Sequence, residues 1–230
     1  MRIAVLIPAL NEEEALPRVL GDLPSERVER VVVVDNDSAD GTARVAEALG
    51  AEVVPEPRRG YGSACLAGMA HLAETDPGPP DVLVFLDADY SDHPDELPAL
   101  VAPIERGEAD LVIGSRALGE AEPGALNPPQ RFGNALACAL MRGLHGARHT
   151  DLGPFRAVRW ESLMALEMAD TNYGWTVEMQ VKAAKRGLRV AEVPVSYRNR
   201  IGTSKISGTV RGVVGAGTKI IWTIFRHSRG

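Results

Sequence analysis

Two aspartates, Asp87 and Asp89, directly follow the short apolar run Val82–Leu86 (VLVFL). Such a run predicts a strand buried in a sheet, and ligands of open α/β sheets bind outside the carboxyl ends of the strands. Carboxylates two residues apart at that point can converge on one hard cation, and Mg²⁺ or Mn²⁺ would share such ligands with a diphosphate. We therefore predict a metal site at Asp87 and Asp89, with Ser91 and Asp92 completing or orienting the ligand shell and Ser91 as the further ligand. A solvated acidic turn is the alternative, because the D-x-D spacing alone is common.

Polar residues also follow the first two apolar runs of the chain, Arg2–Pro8 and Val28–Asp35. The first run is followed by Leu-Asn-Glu at 10–12, and the second by Asn-Asp-Ser-Ala-Asp at 36–40. Parallel strands would bring both segments to the same sheet edge as Asp87. Their backbone groups and short acceptors could then bind a base and a ribose. Taken singly, each segment is a helix cap or a turn, but together with Asp87 they predict a nucleotide site.

Apolar, β-branched runs alternate with helical patterns along most of the chain. This alternation predicts an α/β fold with a mostly parallel central sheet, right-handed crossovers and flanking helices. Strands are predicted at 2–8, 28–35, 51–54, 82–86, 109–113 and 188–195. Helices are predicted at 40–49, 61–74, 94–106, 131–144, 161–166 and 174–186, with a loop at 119–129. An earlier helix would be capped by Asn11, but Pro17 places its start near Leu16.

The composition of the 230-residue chain suits one globular domain, or one domain with an appendage. Hydrophobic residues make up 45% and charged residues 24%, which excludes disorder as the main state. The chain has only two cysteines, Cys65 and Cys138, and no signal-peptide pattern. We therefore expect a cytoplasmic protein and not a disulfide-stapled secreted module.

The net charge of −6 conceals an asymmetry along the chain. Residues 182–230 contain eleven Lys and Arg against one acid, a net charge of +10, so the other residues carry −16. Such a split indicates an anionic or membrane-surface partner for the C-terminal part. Nucleic acid is not expected as a partner, because only 11 residues are aromatic and no nucleic-acid-binding motif is present.

The last predicted helix spans 207–226 and is basic and amphipathic. Its apolar positions, among them Ile220, Ile224 and Phe225, form a broad surface. The apolar run is too short to span a bilayer, but it could lie peripherally in the inner face of a membrane. Packing of the helix against its own domain is the equally weighted alternative.

Five segments of the first half of the chain carry a family resemblance. They are IPALNEEE, VVVVDNDSADGTARVAEALGAEVV, RRGYGSACLAGM, VLVFLDADYSDHPDELPALV and LVIGSR. Together they resemble family 2 glycosyltransferases of the GT-A fold. The later segments TDLGPFRAVRWESLMAL and YGWTVEMQVKAAKRGLRVAEVPVSYRNRIGTSKISGTVRG are similar to the dolichyl-phosphate mannosyltransferase-like branch. The resemblance reaches to about Gly212, and it is specific as an ensemble.

The resemblance implies a GT-A domain at 1–206, with a nucleotide-sugar half at 1–118 and an acceptor half at 119–206, and then a helix at 207–230. The implied reaction is inverting and metal-dependent, with Mg²⁺ or Mn²⁺ as the cofactor. It transfers a sugar from a UDP- or GDP-sugar to a polyprenyl-phosphate or other phosphorylated or hydroxyl acceptor. The implied nucleotide-sugar-binding residues are Pro8, Ala9, Leu10, Glu12, Asn36, Asp37, Arg59, Gly62, Asp87, Ala88 and Asp89. Arg116 would face phosphate.

Three positions depart from the family pattern. Leu10 stands where an aromatic residue is common, and Asp35-Asn36 stands where two adjacent acids are common. Ser91 stands where many relatives of this branch have glutamine. The preferred base and the complete set of metal ligands therefore stay open. The Q-x-x-R-W pattern of processive synthases is missing, so a polymer-extruding enzyme is not expected.

Two acceptor chemistries stay open, and they need different residues. A hydroxyl acceptor needs a general base, for which Asp151 is the first candidate and Glu178 the second. A phosphate acceptor is already anionic and needs cations and hydrogen-bond donors instead. The candidates for that role are Arg156, Arg198, Arg200, Ser204 and Lys205. Each candidate also has a structural alternative. Asp151 would be a cap or turn acid, Glu178 would lie on a solvated helix face, and the cations would form a solvated basic face.

Other functions stay open on the same fold. A non-catalytic nucleotide-sugar-binding protein is the alternative from another class, and the intact pair of Asp87 and Asp89 argues against it. A glycosyltransferase with a small soluble acceptor differs only in the acceptor. A nucleotidyltransferase is disfavoured, because acids stand in PALNEEE where that class has a Gly-rich loop with Arg and Lys. A homodimer is left open.

Overall fold

The computed structural model describes residues 1–202 and 210–227, so Ser204 and Lys205 lie outside the described part. The described strands form one sheet: β1 (Ile3–Ala9), β2 (Arg30–Asp35), β3 (Glu52–Pro55), β4 (Val82–Phe85), β5 (Leu111–Ser115), β6 (Arg156–Arg159) and β7 (Val190–Pro194). Their order across the sheet is β3-β2-β1-β4-β6-β5-β7. Neighbouring strands are parallel except in the two pairs that β6 makes. The predicted α/β class with a mostly parallel sheet is confirmed.

Helices flank both faces of the sheet. They are α1 (Leu16–Gly21), α2 (Thr42–Ala48), α3 (Tyr61–Glu74), α4 (Leu97–Glu105), α5 (Pro128–His145), α6 (Trp160–Leu166), α7 (Trp175–Lys185) and α8 (Val210–Arg226). A 3-10 turn at Pro94–Glu96 precedes α4. The boundaries lie within a few residues of the predicted ones, which is the usual scatter at element ends.

Strand β1 shows why these runs are apolar without interruption. Val5 and Ile7 contribute to one apolar layer of the core, and Ala4 and Leu6 contribute to another. Because successive residues of a strand face opposite sides, a strand that is covered on both faces needs an apolar residue at every position. Helix α3 lies so close to the sheet that a Cβ on Gly68 would stand 2.5 Å from Leu6 Cδ1.

Strand β6 is an element that the sequence did not predict. It pairs antiparallel with β4, where Leu83 lies opposite Val158, and with β5, where Ile113 lies opposite Arg156. Its four residues, RAVR, include two arginines, so no apolar run marks the strand. Its place between two apolar strands, and not its own pattern, makes it part of the sheet.

The start of α1 agrees only in part with the prediction. The helix begins at Leu16, as Pro17 indicated, but its N-cap is Ala15 and no side chain caps it. The predicted Asn11 cap is therefore wrong. Asn11 has a φ of 52°, and its Oδ1 accepts a hydrogen bond from the Ala39 N–H at 2.7 Å. Asn11 thus joins the loop after β1 to the loop after β2.

Helix α8 spans Val210–Arg226, and the predicted positions 207–209 lie outside the described part. It packs against α5 and α7, with Ile224 buried in a cluster that includes Met141 and Val181. The Nε2 atom of His145 lies 2.9 Å from the Ile224 carbonyl oxygen. Packing of α8 against its own domain is therefore observed. Among the described helices, none combines the length and the apolar character that a membrane span requires.

Candidate active site

A cavity of about 360 Å³ lies at the carboxyl edge of β1, β2 and β4. Its lining includes nine of the predicted nucleotide-sugar-binding residues: Pro8, Ala9, Leu10, Glu12, Asn36, Arg59, Asp87, Ala88 and Asp89. The remaining lining residues are Gly60, Tyr61, Asn172, Tyr173 and Arg200. The parallel strands thus bring three segments of the sequence to one sheet edge, as their order predicted.

Asp87 carries a buried oxygen atom, Oδ1, that lacks a hydrogen-bond partner among the described residues. Burial, followed by the nearby charge of Asp89, raises the pKa of Asp87 to about 7. Two neighbouring carboxylates repel each other, so this site favours the approach of a cation.

Asp89 is held from two sides. Its Oδ1 accepts hydrogen bonds from the Ser91 N–H at 2.9 Å and from the Ser91 hydroxyl at 2.5 Å. Its Oδ2 forms an ion pair with Arg200 Nη2 at 2.7 Å, and the same guanidinium lies 3.6 Å from Glu12 Oε1. Ser91 is buried and uses its hydroxyl on Asp89. These bonds fit the second of the two predicted roles of Ser91, that of orienting Asp89.

Arg200 reaches this pocket because the chain after β7 runs beside the loop after β4. The Ile201 N–H donates to the Asp89 carbonyl at 2.9 Å, and the Arg198 N–H donates to the Ser91 carbonyl at 2.9 Å. These bonds join positions more than a hundred residues apart in the sequence. Arg200, which was predicted to bind the acceptor, therefore lies against Asp89, a predicted metal ligand.

The residues present fit a hard divalent cation. Asp87 has an oxygen without a partner, and Asp89 directs an oxygen at the cationic group of Arg200. In the described part of the chain, no cluster of three or more His, Cys, Asp or Glu side chains is arranged to hold an ion. Because Mg²⁺ takes about six oxygen ligands, two carboxylates would leave most positions to water or to a diphosphate.

Asn36 shapes the pocket through its whole side chain. Its Nδ2 donates to the carbonyls of Glu56 and Arg58, each at 2.9 Å, and its Oδ1 accepts from the Gly60 N–H at 2.7 Å. The amide is therefore engaged in holding the loop between β3 and α3. This contact explains why an amide stands at a position where the resemblance leads one to expect a second acid.

Asp37 and Gly62 do not line the cavity, although both were predicted to bind the nucleotide sugar. Asp37 Oδ2 accepts a hydrogen bond from Arg59 Nε at 2.9 Å, so Asp37 acts on the pocket through Arg59. Gly62 packs on the backbone of the α6–α7 loop, where a Cβ would lie 1.9 Å from the Asp170 carbonyl oxygen. Its role is close packing of a pocket wall.

The α6–α7 loop supplies Asn172 and Tyr173 to the cavity lining, and neither residue was predicted from the sequence. The Ser63 N–H donates to the Thr171 carbonyl at 3.0 Å and so ties this loop to α3. The local sequence DTNYGW is rich in turn-forming residues, which is the one available signal, and it does not say where the loop lies. Only tertiary contacts bring it to the pocket.

Arg116 and Asp151 are bonded to each other. Asp151 Oδ2 accepts from the Arg116 N–H and Nε, and its Oδ1 accepts from Nη2, each at 2.8 Å. Asp151 is 2% exposed, and neither residue lines the cavity. Both carboxylate oxygens are thus taken by one guanidinium, an arrangement that orients the chain more than it supplies a base.

Glu178 also has structural partners. Its Oε2 accepts from the Asp170 N–H at 2.8 Å, and its Oε1 forms an ion pair with Lys182 at 2.7 Å. It is 3% exposed and lies outside the cavity lining. We therefore do not assign Glu178 as a base.

Arg156, predicted to bind the acceptor phosphate, lacks the exposure that phosphate binding requires. The side chain is fully buried, and its guanidinium donates to the carbonyls of Leu152, Gly153 and Thr176. Arg198 lies closer to the site: its Cζ stands 3.5 Å from the centroid of the Tyr90 ring, and its Nη2 donates to the Asp92 carbonyl at 3.1 Å. Arg198 does not line the cavity.

Known proteins resemble this chain in sequence and in fold. The family model for glycosyl transferase family 2 matches residues 4–166. An uncharacterised glycosyltransferase of Mycobacterium tuberculosis is 43% identical over 216 residues, which covers 92% of this chain and 93% of that protein. The undecaprenyl-phosphate mannosyltransferase of Micrococcus luteus is 36% identical, over 94% of this chain and 90% of its own length.

A solved structure agrees with these matches. Glucosyl-3-phosphoglycerate synthase from Mycobacterium tuberculosis, crystallised with Mn²⁺, UDP and glucosyl-3-phosphoglycerate, superposes with a TM-score of 0.78. The two chains are 25% identical, and the match covers 98% of this chain and 79% of the other. The predicted family and fold are confirmed: the chain belongs to glycosyl transferase family 2, has the GT-A fold and is a glycosyltransferase.

Proposed function

We propose that this protein is an inverting, divalent-metal-dependent glycosyltransferase that moves a sugar from a nucleoside-diphosphate sugar to a phosphorylated acceptor, with polyprenyl phosphate as the favoured class. The observation that carries the proposal is the open oxygen of Asp87 beside Asp89 in a cavity built at the strand ends. A relative of similar fold was crystallised with Mn²⁺ and UDP, and another is named for undecaprenyl phosphate. These names support the donor, metal and acceptor classes.

In this proposal, Asp87 and Asp89 hold Mg²⁺ or Mn²⁺ together with the donor diphosphate. The ion supplies Lewis-acid stabilisation of the negative charge on the leaving diphosphate. Ser91 keeps Asp89 in orientation through its two hydrogen bonds. The base and ribose lie between the loops after β1 and β2, against Pro8, Ala9 and Arg59.

Inversion requires that the acceptor oxygen reach the anomeric carbon from the face opposite the leaving group. The new C–O bond forms as the bond to the diphosphate oxygen breaks, and the electron pair leaves with the nucleoside diphosphate. A phosphate acceptor attacks as an anion, so no proton has to be removed. This chemistry suits a site in which Asp151 and Glu178 are both engaged elsewhere. Arg200 supplies a cation at the pocket for either the donor diphosphate or the acceptor phosphate.

The acceptor class is also supported by exposed apolar side chains on two helices that pack against each other, α5 and α8. The side chains are Phe132, Leu136 and Leu144 of α5 and Ile221, Trp222 and Phe225 of α8. Phe132 is 71% exposed and Trp222 48% exposed. Neither helix contains an acid, and their described basic side chains include Arg131, Arg142, Lys219 and Arg226. Apolar side chains among cations match the chemistry of an anionic lipid surface.

The reaction is tested with the purified full chain, UDP-glucose or GDP-mannose, and Mn²⁺ or Mg²⁺. Undecaprenyl phosphate in phosphatidylglycerol vesicles is compared with phosphoglycerate in solution, and release of nucleoside diphosphate is measured. We expect release that requires the lipid acceptor and stops when the metal is chelated. Release driven by phosphoglycerate instead would replace the acceptor class. Donor binding with no turnover on either acceptor would contradict the enzymatic proposal.

The membrane contact has its own test, sedimentation with the same vesicles. The Phe132→Ser and Trp222→Ser variant is expected to bind them about tenfold more weakly or worse, because two large apolar groups no longer enter the interface. Leu49→Ser is the matched control, since Leu49 is an equally exposed apolar residue on neither helix. Equal sedimentation of all three proteins would remove the membrane contact from the proposal.

A further inference from the structure

An ion pair connects the C-terminal helix α8 to the wall of the donor pocket. Lys219 Nζ lies 2.8 Å from Asp170 Oδ2. Asp170 is 7% exposed at its side chain, and Lys219 is one-third exposed. The pair therefore joins a surface helix to a buried carboxylate at the start of the α6–α7 loop.

Asp170 organises this loop with its other oxygen. Its Oδ1 accepts from the Asn172 N–H at 2.8 Å and from the Gly174 N–H at 3.1 Å. Asn172 and Tyr173, the residues between these contacts, line the pocket. One carboxylate therefore holds α8 with one oxygen and the pocket wall with the other.

The same loop is pressed against the entrance of α3. A Cβ on Gly60 would lie 2.2 Å from the Thr171 carbonyl oxygen, and one on Gly62 would lie 1.9 Å from that of Asp170. Gly60 and Tyr61 also line the pocket. A displacement of the loop would consequently move two sides of the donor site, because close-packed backbones cannot yield independently.

We infer that Lys219 is a positioning residue for the donor: through Asp170 it holds the α6–α7 loop in the arrangement that binds the nucleoside-diphosphate group. This inference rests on the proposed function, since it concerns the same pocket. It assigns to α8 a task in donor binding that is separate from any contact with lipid. Lys219 touches neither the cavity nor, by this inference, the substrate.

The experiment measures UDP and GDP binding by calorimetry in the presence of Mn²⁺, using the nucleotide that the wild-type protein binds. Lys219→Met is expected to raise Kd about threefold to tenfold, and Lys219→Arg is expected to restore most of the affinity. Asp170→Asn keeps an oxygen for the Asn172 and Gly174 N–H groups but loses the ion pair. We expect it to match Lys219→Met, with no further loss in the double variant.

Arg226→Met is the matched control. Arg226 lies on the same helix, and its Cζ stands 4.9 Å from the centroid of the Trp222 ring, as Lys219 Nζ does at 4.8 Å. It has no ion pair with the α6–α7 loop among the described residues. We expect its Kd for the nucleotide, measured without lipid, to equal that of the wild type. In Lys219→Met we expect KM for the donor to rise with little change in kcat.

The outcomes separate the two proposals. If the wild-type protein binds neither nucleotide, the proposed function fails. If it binds one of them and Lys219→Met binds it equally well, the positioning role is wrong, whatever happens to the thermal stability. A lower melting temperature with unchanged Kd would mean that the ion pair only secures α8.

Discussion

Two Asp–Arg pairs lie near the carboxyl edge of the sheet, and they differ in whether an oxygen atom beside the pair lacks a partner in the described part of the chain. Asp89 meets Arg200 at 2.7 Å in the donor pocket, beside Asp87 and its unpartnered oxygen. Asp151 meets Arg116 through three hydrogen bonds of 2.8 Å, and both of its oxygens are used. The Arg200 side chain is 31% exposed and that of Arg116 is 15% exposed, and the two aspartates are 8% and 2% exposed.

The comparison separates a site that can exchange partners from one that cannot. A buried pair that satisfies every donor and acceptor gains nothing from a ligand and is costly to break. A pair with a second carboxylate nearby still lacks positive charge and can accept a metal ion. Equal residue types therefore have different surroundings, and the unpartnered oxygen of Asp87 beside Asp89 distinguishes the two pairs.

We expect the largest effect from removing the charge of Asp89, which pairs with Arg200. Asp89→Asn should lower kcat/KM for transfer on the order of 10³-fold, about 4 kcal/mol in the transition state, because the diphosphate loses its metal. Nucleoside diphosphate release measures this loss. Asp95→Asn, in the same region but with 67% exposure of its side chain, is the control and should keep full activity. Activity of Asp89→Asn near that of the control would remove Asp89 from the metal site.

Breaking the pair of Asp151 and Arg116 should affect the stability of the fold more than it affects catalysis. Asp151→Asn should lower the free energy of unfolding by about 3 kcal/mol, because Arg116 keeps its buried charge and loses its counter-ion. Urea denaturation measures this change. Exchanging both partners, as Arg116→Met with Asp151→Leu, should cost less than the single change. A stable Asp151→Asn protein that binds donor but does not turn over would instead support the general-base role.

The smallest expected effect is on the pH dependence of stability and comes from His149, two residues before Asp151. Neither ring nitrogen has a hydrogen-bond partner among the described residues, and burial, with the charge of Arg156, lowers the pKa of His149 to about 4. The unfolded chain therefore binds this proton at a higher pH than the folded protein does, and stability is lost as the pH falls through 6.5 toward 4. Between pH 7 and pH 5 the loss should be roughly 2 kcal/mol.

Denaturation curves at the two pH values, compared between wild type and His149→Gln, measure this contribution. The variant has no group that titrates in this range at position 149, so its stability should change less with pH. Parallel pH profiles for the two proteins would show that His149 takes up its proton in the folded state as readily as in the unfolded chain.

Much of the donor side was predictable from local sequence. Strands buried on both faces must be continuously apolar, so β1, β2 and β4 were visible as runs, and the residues after them had to meet at one edge. The acceptor side was not visible in this way. Strand β6 has two arginines in four residues, and the α6–α7 loop has no periodic pattern at all.

The sequence by itself determined the fold class, the family and the carboxylate pair of the donor site, because these follow from patterns within short segments. Only the tertiary structure decided which charged residue meets which. It placed Arg200 against Asp89, buried Arg156 on carbonyls and joined Asp151 to Arg116. The physical reason is that a charge pattern along the chain gives no partner, since pairing depends on long-range backbone contacts such as the one between Ile201 and Asp89.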